Sequence, residues 1–460
     1  MSETSENETG RAKASAANGA DESAGGKASR NGRLAIFGGK KAVQKKAKEK
    51  WRKVTLREIG TVLYSGLRDV NTVSDGGGPL RQFEKKFAEM CGTKYAIVMN
   101  SGTATLHSAY FATGCGPGDE VIVPAYTFFA SSTPILQVGA TPVFCDVDEK
   151  TLIADPAHVE RLITPRTRAI CVVHVWGNPG KMDAFLDIAR RHRVALIEDA
   201  SHAPGASYAG RPVGSWGDIG CFSLQGAKAV SGGECGVAVT DDPDLYDRML
   251  ALGHNGRTGR GQVNGTFEGL DNVSFGLKYR PHVYGVILAL GGLDRLGELN
   301  ELRRRNYRIL EEELRGCPGI QPVGTYEEAE RGGFLNFILN FDPKQCGDWS
   351  REAFVQAAKA EGVPLSVDRY TQFGNRWALL PDSPMFTTME TKGLGGPMGI
   401  ALDNYRKNPA PELPNTRKLV TRLVSLPAFA KVPPEYVRDC ARALRKVAEA
   451  APGVRDFRDI

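Results

Sequence analysis

The sequence predicts an α/β fold, with a mostly parallel sheet buried by helices on both faces in a large domain and a smaller α+β domain toward the C-terminus. Three observations carry this expectation. From Tyr95 to about Gly253, short β-rich runs alternate with longer helical stretches, the rhythm of strands joined by helical crossovers. Three consecutive strand candidates close that stretch with little helix between them, which breaks the rhythm. A length of 460 residues, 41% hydrophobic and 24% charged, gives room for two or three domains of ~100–200 residues around a large core.

Taken in order, the chain opens on a segment that cannot fold alone. Between Ser2 and Arg33 there is no Val, Ile, Leu, Phe, Tyr or Trp, so too little apolar surface is available to offset the entropy of ordering. Residues 1–33 are expected to be a disordered tail, 34–300 the large domain and 301–460 the small one. Strand candidates are 95–99, 120–124, 141–146, 169–175, 194–199, 219–223 and 236–240. Helices are expected at 103–113, 128–138, 156–163, 182–192 and 243–252. The Gly-rich stretch 256–269 reads as a long loop, and 293–314 as a charged helix with Leu, Tyr and Ile on one side, connecting to the second domain. There, 334–341 reads as a strand and 349–360 and 434–448 as helices.

Composition excludes several classes. The net charge of +6 is small, and much of it comes from Lys40, Lys41, Lys45, Lys46, Lys48, Lys50, Arg52 and Lys53. That run has only Trp51 among its basic residues, so it reads as a solvated surface segment and not as a nucleic-acid site. Nine scattered cysteines with no CxxC pair suggest neither a disulfide framework nor a zinc site, and point to a reducing compartment. No apolar run approaches the roughly twenty residues needed to span a bilayer, and no apolar signal core opens the chain. The expected location is cytoplasmic.

Three constellations carry chemistry. Asn100-Ser-Gly-Thr103-Ala follows a strand and opens a helix, offering free N–H groups, a positive dipole end and a hydroxyl to a phosphate. The apolar strand Val-Ala-Leu-Ile runs into Glu198-Asp199 at its C-terminal end, where active sites of open α/β sheets lie. A carboxylate there can keep a pyridinium nitrogen protonated. Lys228 follows the strand ending at Ser223 and precedes a Gly-rich turn. A lysine that forms a Schiff base must be unprotonated part of the time, which partial burial near positive charge allows. A phosphate cradle, a strand-end acid and a lysine, in that order, match what fold-type-I pyridoxal 5′-phosphate (PLP) enzymes require.

The same stretches resemble the DegT/DnrJ/StrS sugar aminotransferases, from Leu34 to nearly the C-terminus. The most specific are Asn100-Ser-Gly-Thr-Ala, the run from Gly116 to Phe128, Ile197-Glu-Asp-Ala-Ser-His202, the run from Gly210 to Ser223, and the lysine segment. The resemblance implies that Lys228 carries PLP as a Schiff base and that Asp199 pairs with the pyridine nitrogen. It places His202 near the ring hydroxyl, Gly102, Thr103, Ala104 and Ser223 around the phosphate, and Phe128 on the ring face. Lys278 falls where the family reaches across a dimer interface to the neighbouring phosphate, which implies a homodimer with shared sites. The implied reaction moves an amino group from L-glutamate or L-glutamine to a keto-sugar, nucleotide-linked in the first choice, or to a cyclitol. Two positions depart from the family pattern, Gln225 and Cys235.

Rival readings are a sugar dehydratase of the same family, which has histidine in place of the lysine and is opposed by Lys228, and a non-catalytic PLP-binding regulatory protein. A dinucleotide loop at Gly114-Cys-Gly116-Pro-Gly118 is set aside, because it follows a helix where that fingerprint must follow a strand.

Overall fold

The computed structural model describes residues 33–44, 47, 49, 54–68, 73–259, 261–267, 269–270, 273–371, 379–390 and 395–453. The expected tail up to residue 32, and Lys45, Lys46, Lys48, Lys50, Arg52 and Lys53 of the basic run, lie outside them.

Seven strands, β1 (Tyr95–Met99), β2 (Glu120–Pro124), β3 (Thr141–Cys145), β4 (Thr167–Val173), β5 (Ala195–Asp199), β8 (Ile219–Ser223) and β9 (Gly236–Thr240), form the main sheet in the order β1-β9-β8-β5-β4-β2-β3. Neighbours from β8 to β3 pair in parallel, and β9 is antiparallel to both β8 and β1. The period of two along each strand divides its side chains between two cores. Ile97 and Met99 meet α3 (Gly102–Ala112) and α7 (Pro243–Gly253), while Ala96 and Val98 meet α2 (Gly78–Cys91) and α8 (Val283–Asp294). Further along the chain, α4 (Thr133–Gln137), α5 (Pro156–Arg161) and α6 (Met182–His192) join successive parallel strands, and α1 (Leu56–Leu67) packs on α8.

A second, antiparallel sheet has the order β10-β12-β14-β13, from β10 (Ile320–Pro322), β12 (Asn336–Phe341), β13 (Ser366–Val367) and β14 (Leu423–Pro427). With α9 (Leu296–Leu314), α10 (Arg351–Ala360) and α14 (Pro434–Ala450) it encloses a core of its own. A small sheet of β6 (Ser207–Tyr208), β7 (Arg211–Pro212) and β11 (Ala329–Glu330) links the two regions. Between β13 and β14, α11 (Pro384–Thr387), α12 (Gly396–Lys407) and α13 (Pro414–Val420) return to the main sheet, where Phe386 and Tyr405 pack edge-on against Phe144 of β3.

Three elements differ from expectation. Residues 128–138 form a short 3-10 turn, Phe129–Ser131, and then α4, because Pro134 lacks an N–H and fits only a helix's first turn. The helix expected at 293–314 is broken at Arg295, between α8 and α9. The sequence VYGVILALGGLD of α8 is apolar on nearly every side and so carries no amphipathic period to reveal it. All nine cysteines are free and buried, and among the described residues no helix is long and apolar enough to cross a membrane.

Candidate active site

A cavity of about 340 Å³ opens over the C-terminal ends of β4, β5 and β8, the place where an open α/β sheet binds its ligands. Ser101, Gly102, Thr103, Phe128, Asp199, His202, Ser223 and Lys228 all line it, although they come from segments more than a hundred residues apart.

One end is an anion cradle. Ser101 caps α3 by accepting the Ala104 N–H (3.0 Å), which leaves the Gly102 and Thr103 N–H groups without an intrahelical acceptor. Gly102 lies against the end of β8, where a Cβ would stand 2.7 Å from Ser223 Cβ; only glycine lets backbone N–H and serine hydroxyl share one concavity. A Cβ on Gly236, at the start of β9, would likewise strike the Ser101 carbonyl. Ala104 does not line the cavity: its methyl is buried and its N–H is spent on the cap.

The two acids ending β5 divide their work. Glu198 is fully buried and accepts the N–H groups of Gly214 (2.8 Å), Trp216 (2.7 Å) and Gly217 (2.8 Å) and His174 Nε2–H (3.0 Å). The Gly180 N–H donates to His174 Nδ1 (3.0 Å), and this fixes the proton on Nε2. Asp199 faces the cavity. Its Oδ2 accepts the Ser131 hydroxyl (2.7 Å) and its Oδ1 the Ser201 N–H (3.1 Å), while Thr127 bonds Ser131 in turn (2.8 Å).

Lys228 sits on a loop closed upon itself by Leu224 N–H to Cys235 O and Gly232 N–H to Leu224 O, both 2.8 Å. Burial pushes its ammonium down to about 8; Asp199 opposes that shift, and the Arg369 charge adds to it. Gln225 accepts the Ala227 N–H (2.8 Å) and so shapes the turn before the lysine. The Cys235 side chain is buried beside Gly232 and Gly285 of α8, away from the cavity, and burial pushes its thiol up to about 12.

His202 is committed on both ring nitrogens. The Trp176 N–H donates to Nδ1 (3.1 Å), so the neutral ring carries its proton on Nε2 and donates it to Tyr370 Oη (2.9 Å). Burial, with help from Lys228 and Arg369, holds His202 well below the usual histidine range, in keeping with that neutral form. Trp176 has φ 56°, a left-handed conformation that costs roughly 1–3 kcal/mol outside glycine. Its place is held by stacking on Tyr370 (4.7 Å between ring centroids) and by Nε1–H donation to Tyr126 Oη (2.8 Å), whose own hydroxyl donates a hydrogen bond to Asp368 Oδ2 (2.9 Å). Phe128 packs 6.0 Å from Tyr370 on the same wall.

Sequence reasoning had no signal for Tyr126, Ser131, Trp176 or Asp368. Lys278 is exposed and does not line this chain's cavity; its carbonyl accepts Asn100 Nδ2–H (3.3 Å), which ties its loop to the start of α3.

Residues 64–372 match the model of the DegT/DnrJ/EryC1/StrS aminotransferase family. GDP-perosamine synthase of Caulobacter vibrioides is 48% identical over 40% of this chain, a stretch that spans half of that relative. The spore coat polysaccharide biosynthesis protein SpsC of Bacillus subtilis is 31% identical over 82% of this chain and 91% of its own. L-glutamine:scyllo-inosose aminotransferase of Streptomyces griseus is 45% identical over 46% of this chain and 50% of its own. Among solved structures, DesI with its TDP-sugar product superposes with a TM-score of 0.70 at 30% identity, covering 90% of this chain and 96% of that one. Spr1654 of Streptococcus pneumoniae in its PLP form superposes with a TM-score of 0.69 at 25% identity, covering 86% and 97%. By its sequence and its fold, the chain belongs to the DegT/DnrJ/EryC1/StrS family of sugar and cyclitol aminotransferases.

Proposed function

We propose that the protein transfers the amino group of L-glutamine or L-glutamate to the carbonyl of a keto-sugar, nucleotide-linked in the first instance, or of a cyclitol, with PLP held on Lys228. The observation that carries this reading is a lysine with its ammonium pushed to about 8, sharing one cavity with the Asp199 carboxylate and the start of α3. At pH 7 such an amine is about a tenth unprotonated, against about one part in 3,000 at the ordinary 10.5.

The residues fit the cofactor. The Gly102 and Thr103 N–H groups and the Thr103 and Ser223 hydroxyls would hold its phosphate in the concavity that a Cβ on Gly102 would fill. Asp199, fixed by Ser131 and Ser201, would pair with the ring nitrogen, and Phe128 would cover the ring. Bound there, PLP supplies an electron-withdrawing ring that makes the α-hydrogen of an attached amine acidic. Lys228 Nζ then moves that proton, and it can do so because burial leaves part of it unprotonated. Trp176, Tyr370 and the neutral His202 form a buried wall that keeps water from the exchanging proton.

A homodimer belongs to the same proposal. Leu56 (85% exposed), Ile59, Leu63 and Leu67 (87%) form an apolar stripe along α1, and Val273, Phe275 and Leu277 add apolar surface just before Lys278. In such a dimer, Lys278 of the partner subunit would reach the phosphate. A smaller part beside the large cofactor-binding one is supported by the second core around α9, α10 and α14, but the two cores do not divide at residue 300: Leu34 and Val43 join the second core, and Phe386, Leu402, Tyr405 and Leu419 pack in the main one.

The test uses L-glutamine and L-glutamate labelled with 15N at the α-amine. The PLP-loaded protein should release one keto acid per site and retain the label on its cofactor, then pass it to a keto-cyclitol or nucleotide-linked keto-sugar. A protein that binds PLP and releases no keto acid from either donor would be a binding protein.

A further inference from the structure

Behind His202 and Tyr370, which line the cavity, lie three polar residues that do not: Tyr126 just beyond β2, Trp176 just beyond β4 and Asp368 just beyond β13. Each is at most 2% exposed, so a partner that one of them loses is not replaced by bulk water. The Tyr126 hydroxyl is their junction. It accepts the Trp176 Nε1–H (2.8 Å), and because it is the acceptor there its own proton is left for Asp368 Oδ2 (2.9 Å). Asp368 is held by its own N–H, which donates to the Leu423 carbonyl at the start of β14 (3.1 Å). One hydroxyl thus ties the main sheet to the edge of the second.

What the junction holds is strained. Trp176 keeps φ at 56°, and in that conformation its own N–H donates to His202 Nδ1 (3.1 Å). A residue other than glycine stays there only while its surroundings over-determine it. The indole's bond to Tyr126 and its stack on Tyr370 do so. Burial, with the Lys228 and Arg369 charges that face it, keeps the His202 ring neutral. The Trp176 N–H then selects the nitrogen that carries the proton: Nδ1 accepts, and Nε2–H is left as the ring's donor, here toward Tyr370 Oη (2.9 Å).

We infer that Tyr126 is a positioning residue for the reaction: its hydroxyl, oriented by Asp368, holds Trp176 in the left-handed turn whose N–H fixes the His202 ring for its contact with the cofactor. This rests on the reading above that PLP occupies the cavity.

The test uses Tyr126→Phe, which removes one oxygen and keeps the ring, beside Asp368→Asn, which keeps an acceptor for the Tyr126 hydroxyl. In cofactor-free protein with 15N-labelled histidine, the His202 Nδ1 resonance, identified by its loss in His202→Gln, reports the bond from Trp176. It should stay at its wild-type position in Asp368→Asn and move toward that of an unbonded ring nitrogen in Tyr126→Phe. In the PLP-loaded protein, the pH midpoint of the cofactor's visible absorbance should shift by about half to one pH unit in Tyr126→Phe, the effect of one lost hydrogen bond, and by much less in Asp368→Asn. Trp176→Phe, which removes the indole N–H and leaves Tyr126 its bond to Asp368, reaches the same loss by a second route and should displace both readouts, even where Tyr126→Phe does not fold. Wild-type resonance and midpoint in either Phe variant, whatever its loss of stability, would make Tyr126 a packing residue and overturn the inference; so would an Asp368→Asn variant displaced as far as Tyr126→Phe. A wild-type protein that takes up no PLP would instead sink the cofactor reading, and the role in the reaction with it, whatever the histidine resonance shows.

Discussion

Lys228→Met in the cofactor-free protein isolates the energy stored at the site. Methionine keeps an unbranched stem of similar length and removes the charge. Burial places the folded-state value at about 8 against an ordinary 10.5, and at about 1.4 kcal/mol per pH unit the gap corresponds to about 3 kcal/mol. The sign follows from proton counts. Below about 8, lysine is charged in folded and unfolded chains alike, so the folded state bears the whole cost of burying it. Between about 8 and 10.5 the unfolded chain holds the proton and the folded one does not, so the wild type gains on the variant as pH rises. Above 10.5 both are neutral and the cost is gone. In urea unfolding at pH 7 the variant should be more stable by about 3 kcal/mol, and at pH 10 most of that advantage should be lost. A variant no more stable at pH 7, or equally advantaged at both values, would refute the reasoning.

Further expectations come from the same geometry. Capture of PLP by the apoprotein should speed up about tenfold per pH unit below about 8, as Lys228 loses its proton; stopped-flow absorbance would expose a flat profile as a contradiction. Gly102→Ala forces a Cβ to within 2.7 Å of Ser223 Cβ, so equilibrium dialysis should show PLP affinity falling by tenfold or more, the effect of about 1–3 kcal/mol of overpacking. Glu198→Ala leaves the N–H groups of Gly214, Trp216 and Gly217 and the His174 Nε2–H without their acceptor. It should cost at least 3 kcal/mol in urea unfolding, and a loss under 1 kcal/mol would show these bonds to be dispensable.

The parallel core was legible because strand and helix periods are local. Ile97 alternates with Val98 across the sheet, and the expected runs at 95–99, 120–124, 219–223 and 236–240 coincide with β1, β2, β8 and β9. The cavity's floor was legible for a similar reason, since Asp199 and Ser223 end β5 and β8, and Thr103 and Lys228 follow the ends of β1 and β8 within five residues. Its wall was not. Tyr126, Trp176 and Asp368 come together only through tertiary packing, and no spacing in the chain joins a residue after β2 to one after β13. Helix α8 stayed hidden because its apolar sequence has no polar face, and the four donors that enclose Glu198 come from segments that no local pattern joins to it.

The position of the cofactor's attachment tests the central claim most directly. The PLP-loaded protein, reduced with borohydride and digested, would be mapped by mass spectrometry for the peptide that retains the pyridoxyl group. The label should fall on Lys228 alone. Label on another lysine, or none after saturation with PLP, would contradict the assignment.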